Sequence, residues 1–151
     1  VLFRSVALGM RLDDRSDRSV YVLMGDGECN EGSVWESAAS AAEFNVGNLI
    51  AIVDVNGFRN DGVNYTYSNS VNFKNVWNSF GWNVLEVNGH DHAMLYSAFS
   101  EAKLSNDTPT VILANTIKGS GISFMEGDND WHHNRITVKT YERIIEEWDQ
   151  S

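Results

Sequence analysis

Residues 25–62 read GDGECNEGSVWESAASAAEFNVGNLIAIVDVNGFRNDG, and this stretch decides the fold. An apolar run, Val20 to Met24, precedes it, and a second apolar run, Leu49 to Val53, lies inside it; both are typical of buried β-strands. A segment of helical composition separates the two runs, so the pattern predicts two parallel strands joined by a helix. Because the carboxyl ends of parallel strands meet at one edge of a sheet, where open α/β sheets bind their ligands, the GDG and DVN turns should lie side by side.

The residues of these two turns have the chemistry of a site for a divalent cation that carries a diphosphate. Asp26 offers a carboxylate oxygen, Asn56 offers an amide oxygen, and the following turn can present the backbone carbonyl of Phe58. Magnesium and calcium bind such oxygen ligands, and magnesium keeps positions for phosphate and water. Gly25 and Gly27 let the backbone approach a phosphate, and the helix that follows adds N–H groups. The GDG turn also fits an ordinary strand-to-helix connection in which Asp26 caps the helix.

Three motifs resemble those of the transketolase family, whose enzymes use thiamine diphosphate. GDGECNEG, residues 25–32, is similar to the family form GDGxxxEG, and VDVNGFRNDG, residues 53–62, is similar to DxNxxxxDG. TIKGSGISFMEGDNDWH, residues 116–132, resembles the segment that brings a cofactor-contacting histidine into the family's site. Three separated motifs in the same order form a specific pattern, and the resemblance covers nearly the whole chain from about Val6.

The resemblance implies a set of site residues. It places His132 against the cofactor as a catalytic residue, and it places Glu31 at a subunit interface, in an acidic network that links two active sites. Lys118 is either an exposed loop cation or a residue near the diphosphate. The resemblance implies that thiamine diphosphate and Mg²⁺ or Ca²⁺ are the cofactors, with the metal held by Asp26, Asn56 and Phe58. The residues expected to bind the cofactor are Gly25, Asp26, Gly27, Glu28, Asn56, Phe58, Lys118 and His132.

The activity that the resemblance implies is transfer of a two-carbon ketol unit between sugar phosphates. Deoxyxylulose phosphate synthases usually have another residue where Glu31 stands, but such a synthase, or a 2-oxo acid decarboxylase component, is the alternative within thiamine chemistry. A cofactor-binding subunit without catalysis is the alternative from another class. The family commonly has glycine after the cofactor-contacting histidine, whereas this chain has His133 and Asn134, a variation that also occurs in split transketolase-like proteins of sugar biosynthesis. The donor and acceptor sugars, and the pathway, therefore stay open.

Composition limits the class of protein. The chain has 151 residues, of which 42% are hydrophobic and 11% aromatic, and this is typical of a single globular domain. A net charge of −10 disfavours nucleic acid and anionic membrane as partners. No apolar run is long enough for a membrane span and the first residues lack a secretory pattern, so we expect a cytoplasmic protein. Cys29, the single cysteine, excludes an internal disulfide; a nearby helix N-terminus should lower its pKa, but we expect no role for it.

The alternation of strand and helix patterns predicts an α/β fold with a doubly wound, mostly parallel sheet, which the resemblance identifies as the thiamine diphosphate-binding fold. We expect His90 and His92 to belong to a turn and a helix start rather than to a metal site. The predicted strands are Val20–Met24, Leu49–Val53, Trp82–Val87 and Thr110–Thr116; the predicted helices are Val6–Leu12, Ser33 to about Phe44, Val71–Phe80, His92–Lys103 with Asp91 as N-cap, and Val138–Trp148; and loops are expected over Gly57–Ser70 and after Thr116.

We expect residues 1–151 to form one diphosphate-binding domain that lacks its N-terminal part, because transketolases carry a further segment before this point. We also expect the pyrimidine-binding domain to be absent from this chain, since in the family it comes from a partner subunit. The expected partners are a pyrimidine-domain chain, in a dimer or heterotetramer, and sugar phosphates. Four alanines in the first predicted helix after GDG allow close approach by neighbours, so we expect this helix to expose an apolar surface in the isolated chain.

Overall fold

The structure is a computed structural model that describes residues 2–13, 18–64 and 72–149. Residues 65–70 of the loop predicted over Gly57–Ser70, and the first residue of the helix predicted from Val71, lie outside the described residues. The strands are β1 (Val20–Gly25), β2 (Leu49–Val55), β3 (Phe58–Arg59), β4 (Gly62–Val63), β5 (Asn83–Asn88) and β6 (Thr110–Asn115), and the α-helices are α1 (Leu2–Leu12), α2 (Gly32–Glu43), α3 (Phe73–Ser79), α4 (His92–Ala102) and α5 (Val138–Trp148).

Four strands form one parallel sheet in the order β1–β2–β6–β5. The register aligns their carboxyl ends, since Gly25 pairs with Asp54, and Asn115 pairs with both Val55 and Asn88. The turns that follow the four strands therefore emerge at one edge of the sheet. This arrangement confirms the predicted α/β fold and places the GDG and DVN turns side by side.

Helices cover both faces of this sheet, because its central strands are apolar on both sides. One face packs against α1, α2 and α3 and contains the larger cluster of buried residues, in which Trp77 and Trp82 form an edge-to-face pair with ring centroids 5.0 Å apart. The indole N–H of Trp82 donates to the carbonyl oxygen of Ala38 in α2 at 2.9 Å. The other face packs against α4, with Ile50, Ile112 and Ala102 fully buried between them.

Side chains at the helix starts explain several boundaries. Asp91 accepts hydrogen bonds from the backbone N–H groups of Ala93 and Met94, so it is the N-cap of α4, as the sequence predicts. Asn72 caps α3 and Thr137 caps α5 in the same way. Most boundaries lie within one or two residues of the predicted positions, which is the usual uncertainty of helix and strand ends.

The described residues contain short elements that are absent from the sequence-based prediction, among them a 3₁₀ helix over Asn129–His132. A 3₁₀ helix, Glu28–Asn30, stands between the GDG turn and α2, so α2 begins after it, at Gly32. The antiparallel pair β3–β4 forms a hairpin inside the predicted loop, and Asn60 and Asp61 make its turn. Within the described residues, no helix is long and apolar enough to cross a bilayer.

Candidate functional site

Asp26 lies directly after β1 and is almost completely buried, with 1% of its surface exposed. Its backbone N–H donates to the carbonyl oxygen of Asp54 at 3.0 Å, which extends the pairing of β1 and β2 by one residue. Its Oδ2 accepts a hydrogen bond of 2.9 Å from the backbone N–H of Gly57. Its Oδ1 is also buried and accepts no hydrogen bond of normal geometry from the described residues. The pKa of this carboxyl is raised, chiefly by burial, although hydrogen bonds from Gly57 and Asn64 oppose the shift.

Gly27 brings the GDG turn against the hairpin that follows β2. A Cβ atom at this position would lie 2.8 Å from the Cβ of Arg59 and 3.6 Å from the carbonyl oxygen of Phe58. Only glycine fits this approach without displacing the hairpin, because real Cβ contacts are longer than 3.0 Å. The glycine of the motif therefore allows the carbonyl of Phe58 to lie beside the turn that carries Asp26.

Asn56 is held in one orientation by its neighbour two residues earlier. Its Nδ2 donates to Oδ2 of Asp54 at 2.9 Å, and its Oδ1 accepts from the backbone N–H of Phe58 at 2.9 Å. The hydroxyl of Thr116, at the end of β6, donates to the other oxygen of Asp54. Asp54 thus fixes which atom of the Asn56 amide is the oxygen that faces the turn. The sequence analysis assigned no role to Asp54 or Thr116, although Asp54 is the first letter of the DxN motif.

Asn64 is a second residue that the sequence analysis did not single out. It is fully buried, its backbone N–H donates to the carbonyl oxygen of Gly57 at 2.7 Å, and its side-chain amide lies beside Asp26, whose pKa it helps to lower. The side chain of Asn30 donates to Oδ1 of Asn64 at 3.4 Å. Nothing in the polar loop sequence marks this asparagine as buried, because its burial depends on how the loop packs against the GDG turn.

The remaining residues of the GDG motif have mostly local partners. Glu28 is exposed, and its Oε2 accepts a hydrogen bond of 2.8 Å from the backbone N–H of Gly25. Glu31 is exposed at the N-cap position of α2, where its side chain makes no capping hydrogen bond. Cys29 is completely buried, and its pKa is raised to about 12 by burial and by the charges of Asp26 and Glu28. The expected lowering of the Cys29 pKa by a helix N-terminus is therefore wrong, and a buried thiol with this pKa is unreactive.

Lys118 and His132 meet in the loop between β6 and α5. The ammonium nitrogen of Lys118 lies 3.1 Å from Nδ1 of His132, so this lysine has a specific neighbour. The pKa of His132 is lowered by partial desolvation, by Lys118 and by His133. An ammonium group only donates, so Nδ1 accepts and the hydrogen of the neutral imidazole is on Nε2. His132 can therefore present Nε2–H as a donor.

Several contacts fix the loop that carries His132. With its amide oriented to satisfy both groups, Asn129 donates to the carbonyl oxygen of Arg59 and accepts from the N–H of Gly62, each at 3.2 Å. These bonds attach the 3₁₀ turn Asn129–His132 to the hairpin beside Asp26. On the other side, Glu147 of α5 accepts from the backbone N–H and the hydroxyl of Ser123 at 2.6 and 2.8 Å.

The donor set fits a hard divalent cation. The Oδ1 of Asp26 is a buried oxygen that accepts no hydrogen bond of normal geometry from the described residues, Asn56 has its amide oxygen fixed at the same turn, and the carbonyl of Phe58 lies close to Gly27. Within the described part of the chain, no group of three or more His, Cys, Asp or Glu side chains is arranged to hold a metal. A site with one carboxylate, one amide and one carbonyl does not need such a group, since magnesium completes its shell with phosphate and water oxygens.

The comparison with known families decides the identity of this fold. The sequence profile described as "Transketolase, thiamine diphosphate binding domain" matches residues 9–148. The chain belongs to the transketolase family. Its resemblance to transketolase motifs is thereby confirmed across the domain that bears the GDG and DVN turns.

Individual transketolases agree with this assignment. The chain is 36% identical over 146 residues to one of the subunits of the apulose-4-phosphate transketolase of Phocaeicola vulgatus, covering 95% of this chain and 52% of that protein. It is 34% identical over 149 residues to the 6-deoxy-6-sulfo-D-fructose transketolase subunit SqwG of a Clostridium strain, covering 97% of this chain and 54% of that protein. The crystal structure of Campylobacter jejuni transketolase superposes with a TM-score of 0.82 at 27% identity, over 95% of this chain and 24% of that one. The chain thus spans about half the length of the two subunit relatives.

Proposed function

We propose that this chain holds the magnesium-diphosphate end of thiamine diphosphate in an enzyme that transfers a two-carbon ketol unit between sugar phosphates. The observation that carries the proposal is the buried Oδ1 of Asp26, which accepts no hydrogen bond of normal geometry from the described residues and lies beside the turn of Asn56 and Phe58. A buried carboxylate without a full set of donors is costly unless a cation binds it. In the proposed site, Asp26, Asn56 and Phe58 hold the metal, which is Mg²⁺ or Ca²⁺.

The proposed roles of the loop residues follow from their contacts. When bound, thiamine diphosphate supplies the carbon nucleophile for breaking and forming carbon–carbon bonds. Lys118 provides a positive charge for the diphosphate and keeps Nδ1 of His132 as an acceptor. His132, neutral because its pKa is lowered, offers Nε2–H to an oxygen of the reacting sugar as a hydrogen-bond donor.

We further propose that a second chain completes the enzyme. Two similar proteins are named as transketolase subunits, and they match this chain over nearly all of its length. The partner would supply the pyrimidine-binding domain, in a dimer or heterotetramer. Glu31 is exposed at the start of α2, as a residue of the proposed subunit interface must be.

An assay with the reconstituted enzyme tests this function. The chain is mixed with a transketolase pyrimidine-domain chain, magnesium and thiamine diphosphate are added, and xylulose and ribose phosphates are compared with pyruvate as substrates. We expect ketol transfer between the sugar phosphates, and His132→Ala should lower kcat by about a hundredfold because a transition-state donor is lost. His133→Ala is the matched control and should have a smaller effect.

Other results would contradict the proposal. Turnover of pyruvate instead of the sugar phosphates would assign the chain to a synthase or a decarboxylase. Tight cofactor binding without turnover in the presence of the partner would indicate a non-catalytic subunit. Equal, small effects of the two histidine substitutions would return His132 to the status of an ordinary loop residue.

A further inference from the structure

His90 lies in the turn between β5 and α4, and β6 separates this turn from the proposed cation site. Its Nε2 accepts a hydrogen bond of 2.8 Å from the backbone N–H of Ile117. The residue before, Thr116, still donates its N–H to the carbonyl oxygen of Val55 in β2 at 3.1 Å. Ile117 therefore has the first backbone N–H after β6 that donates to no strand of the sheet. It donates to the side chain of His90 instead.

The turn that carries His90 is itself fixed against the end of β6. The N–H of Gly89 donates to the carbonyl oxygen of Asn115 at 2.8 Å, and the N–H of His90 donates to Oδ1 of Asn88 at 3.0 Å. A Cβ atom on Gly89 would lie 2.5 Å from Cγ2 of Thr116 and 3.2 Å from the carbonyl oxygen of Asn115, so glycine lets the turn pack closely against the end of β6. His90 thus accepts the hydrogen bond from Ile117 on a turn that is itself hydrogen-bonded to the end of β6.

The segment that His90 holds connects two parts of the proposed site. Thr116, immediately before Ile117, donates its hydroxyl to Asp54, which orients the amide of Asn56. Lys118, immediately after Ile117, lies 3.1 Å from Nδ1 of His132. A shift of the Ile117 amide would therefore move Lys118 relative to His132.

We infer that His90 is a positioning residue that anchors the start of the loop after β6 through the Ile117 amide and so places Lys118 and His132. The inference rests on the proposed function of those two residues and deepens it. Because Nε2 accepts, the hydrogen of the neutral imidazole is on Nδ1. His90 acts on the site through the backbone, because the hydrogen bond of its ring goes to the amide of Ile117.

The test compares three substitutions at His90 with one control. Glutamine carries its amide oxygen as many bonds from Cα as Nε2 of histidine, whereas the oxygen of asparagine is one bond shorter. We expect His90→Ala and His90→Asn to increase hydrogen exchange of the Ile117 amide by about tenfold, as for loss of one hydrogen bond, and His90→Gln to restore it. His92→Ala is the matched control, because His92 is exposed at the start of α4, the helix that follows the turn of His90. This substitution should leave the exchange of the Ile117 amide unchanged.

The same variants are assayed in the complex with the pyrimidine-domain chain. We expect His90→Ala and His90→Asn to lower kcat by about tenfold and His90→Gln to retain most of it, because a small displacement of catalytic groups is costly. Unchanged exchange at Ile117 in His90→Ala would overturn the inference, and so would faster exchange with full turnover. If even the wild-type complex transfers no ketol unit, the proposed function fails separately. In that case the ¹⁵N chemical shifts of the His132 ring are the deciding measurement. Changed shifts in His90→Ala support the positioning role of His90, and unchanged shifts refute it.

Discussion

Asp26 combines deep burial with an incomplete set of hydrogen bonds, which is unfavourable for a charged group in the cation-free chain. Its pKa is raised, chiefly by burial, so the folded chain favours the protonated acid. Because the pKa of Asp26 is higher in the folded chain than in the unfolded chain, the contribution of this group to stability is greatest below the ordinary pKa of 3.8. That contribution is lost as the pH rises through the raised pKa. At neutral pH the charge is therefore a cost to folding, which a bound cation offsets.

Replacing Asp26 by Asn should raise the stability of the cation-free chain and lower its affinity for the cofactor. We expect Asp26→Asn to increase the free energy of unfolding of the cation-free chain at pH 7 by about 1 kcal/mol, since an amide is less costly to bury than a carboxylate. The same variant should lose magnesium-dependent binding of thiamine diphosphate. Urea unfolding and calorimetric titration measure the two effects. Retention of wild-type cofactor affinity would refute the metal assignment.

Asp54→Asn is the matched control at this scale, because Asp54 uses its carboxylate oxygens differently. It accepts hydrogen bonds from Asn56 and Thr116. An amide at this position loses one acceptor, so Asp54→Asn should decrease the free energy of unfolding by about 1 kcal/mol. Substitution of aspartate by asparagine should thus raise the free energy of unfolding at position 26 and lower it at position 54. A change of the same sign at both positions would contradict this difference between the two carboxylates.

At the scale of elements, α5 holds the loop that carries His132. Glu147 accepts two hydrogen bonds from Ser123, the indole N–H of Trp148 donates to the carbonyl oxygen of Gly121 at 3.2 Å, and Arg143 lies 3.9 Å from the ring centre of Phe124. The hydrogen bonds from Ser123 lower the pKa of Glu147. A lowered pKa means that this contact is fully present above the ordinary value of 4.5 and is lost as the pH falls through the lowered pKa.

Glu147→Gln should therefore remove an acid-dependent contact between α5 and the loop. In the wild-type chain, we expect exchange protection of the Ser123 amide to fall as the pH decreases below about 4.5, after correction for the intrinsic exchange rate. In Glu147→Gln the protection should be lower at neutral pH and nearly independent of pH. Glu146→Gln is the control on the same helix, where the wild-type profile should persist. A pH profile in Glu147→Gln equal to that of the wild type would show that another group holds the loop.

At the scale of the whole molecule, one exposed apolar surface lies on the edge strand of the sheet. Among the described residues, β1 pairs with β2 alone, and Leu23 at its outer face is 72% exposed. The sequence analysis expected this surface on the alanine-rich helix α2. Of its four alanines, Ala38 and Ala41 are buried, Ala42 is half-buried, and Ala39 is exposed between Glu36 and Glu43. A free strand edge with exposed leucine favours association between copies of the isolated chain.

Leu23→Lys should reduce this self-association. Burial of one leucine contributes enough free energy to change an association constant by about tenfold or more, and lysine on an edge strand opposes strand pairing. Sedimentation velocity of the isolated chain over a range of concentrations measures the effect. Val138→Lys is the control, because Val138 is 76% exposed and lies at the start of α5, the helix that contacts the loop after β6. If both substitutions act equally, the association does not involve the β1 edge.

The sequence by itself determined the strands, the helices and the metal-ligand candidates. Apolar runs such as Leu49 to Val53 specify buried strands wherever they occur, and Asp91 caps a helix through bonds to residues two and three positions away. From the sequence, Gly27 was expected to let the backbone approach a phosphate, and its close contact with Arg59 of the hairpin is known only from the structure. These features depend on local chemistry or on the direction of parallel strands, and both can be inferred without coordinates.

Only the tertiary structure decided how the side chains of the site support one another. Thr116 and Asp54 are 62 residues apart, His90 and Ile117 are 27 apart, and Asn129 reaches the hairpin at Arg59. Each of these contacts exists because the register of β6 against β2 and β5 brings particular strand ends together. Burial is decided in the same way: the packing that encloses Cys29 and Asn64 raises the thiol pKa and places an amide beside Asp26. Side-chain partners across strands depend on register and packing of the whole sheet, and no local pattern encodes them.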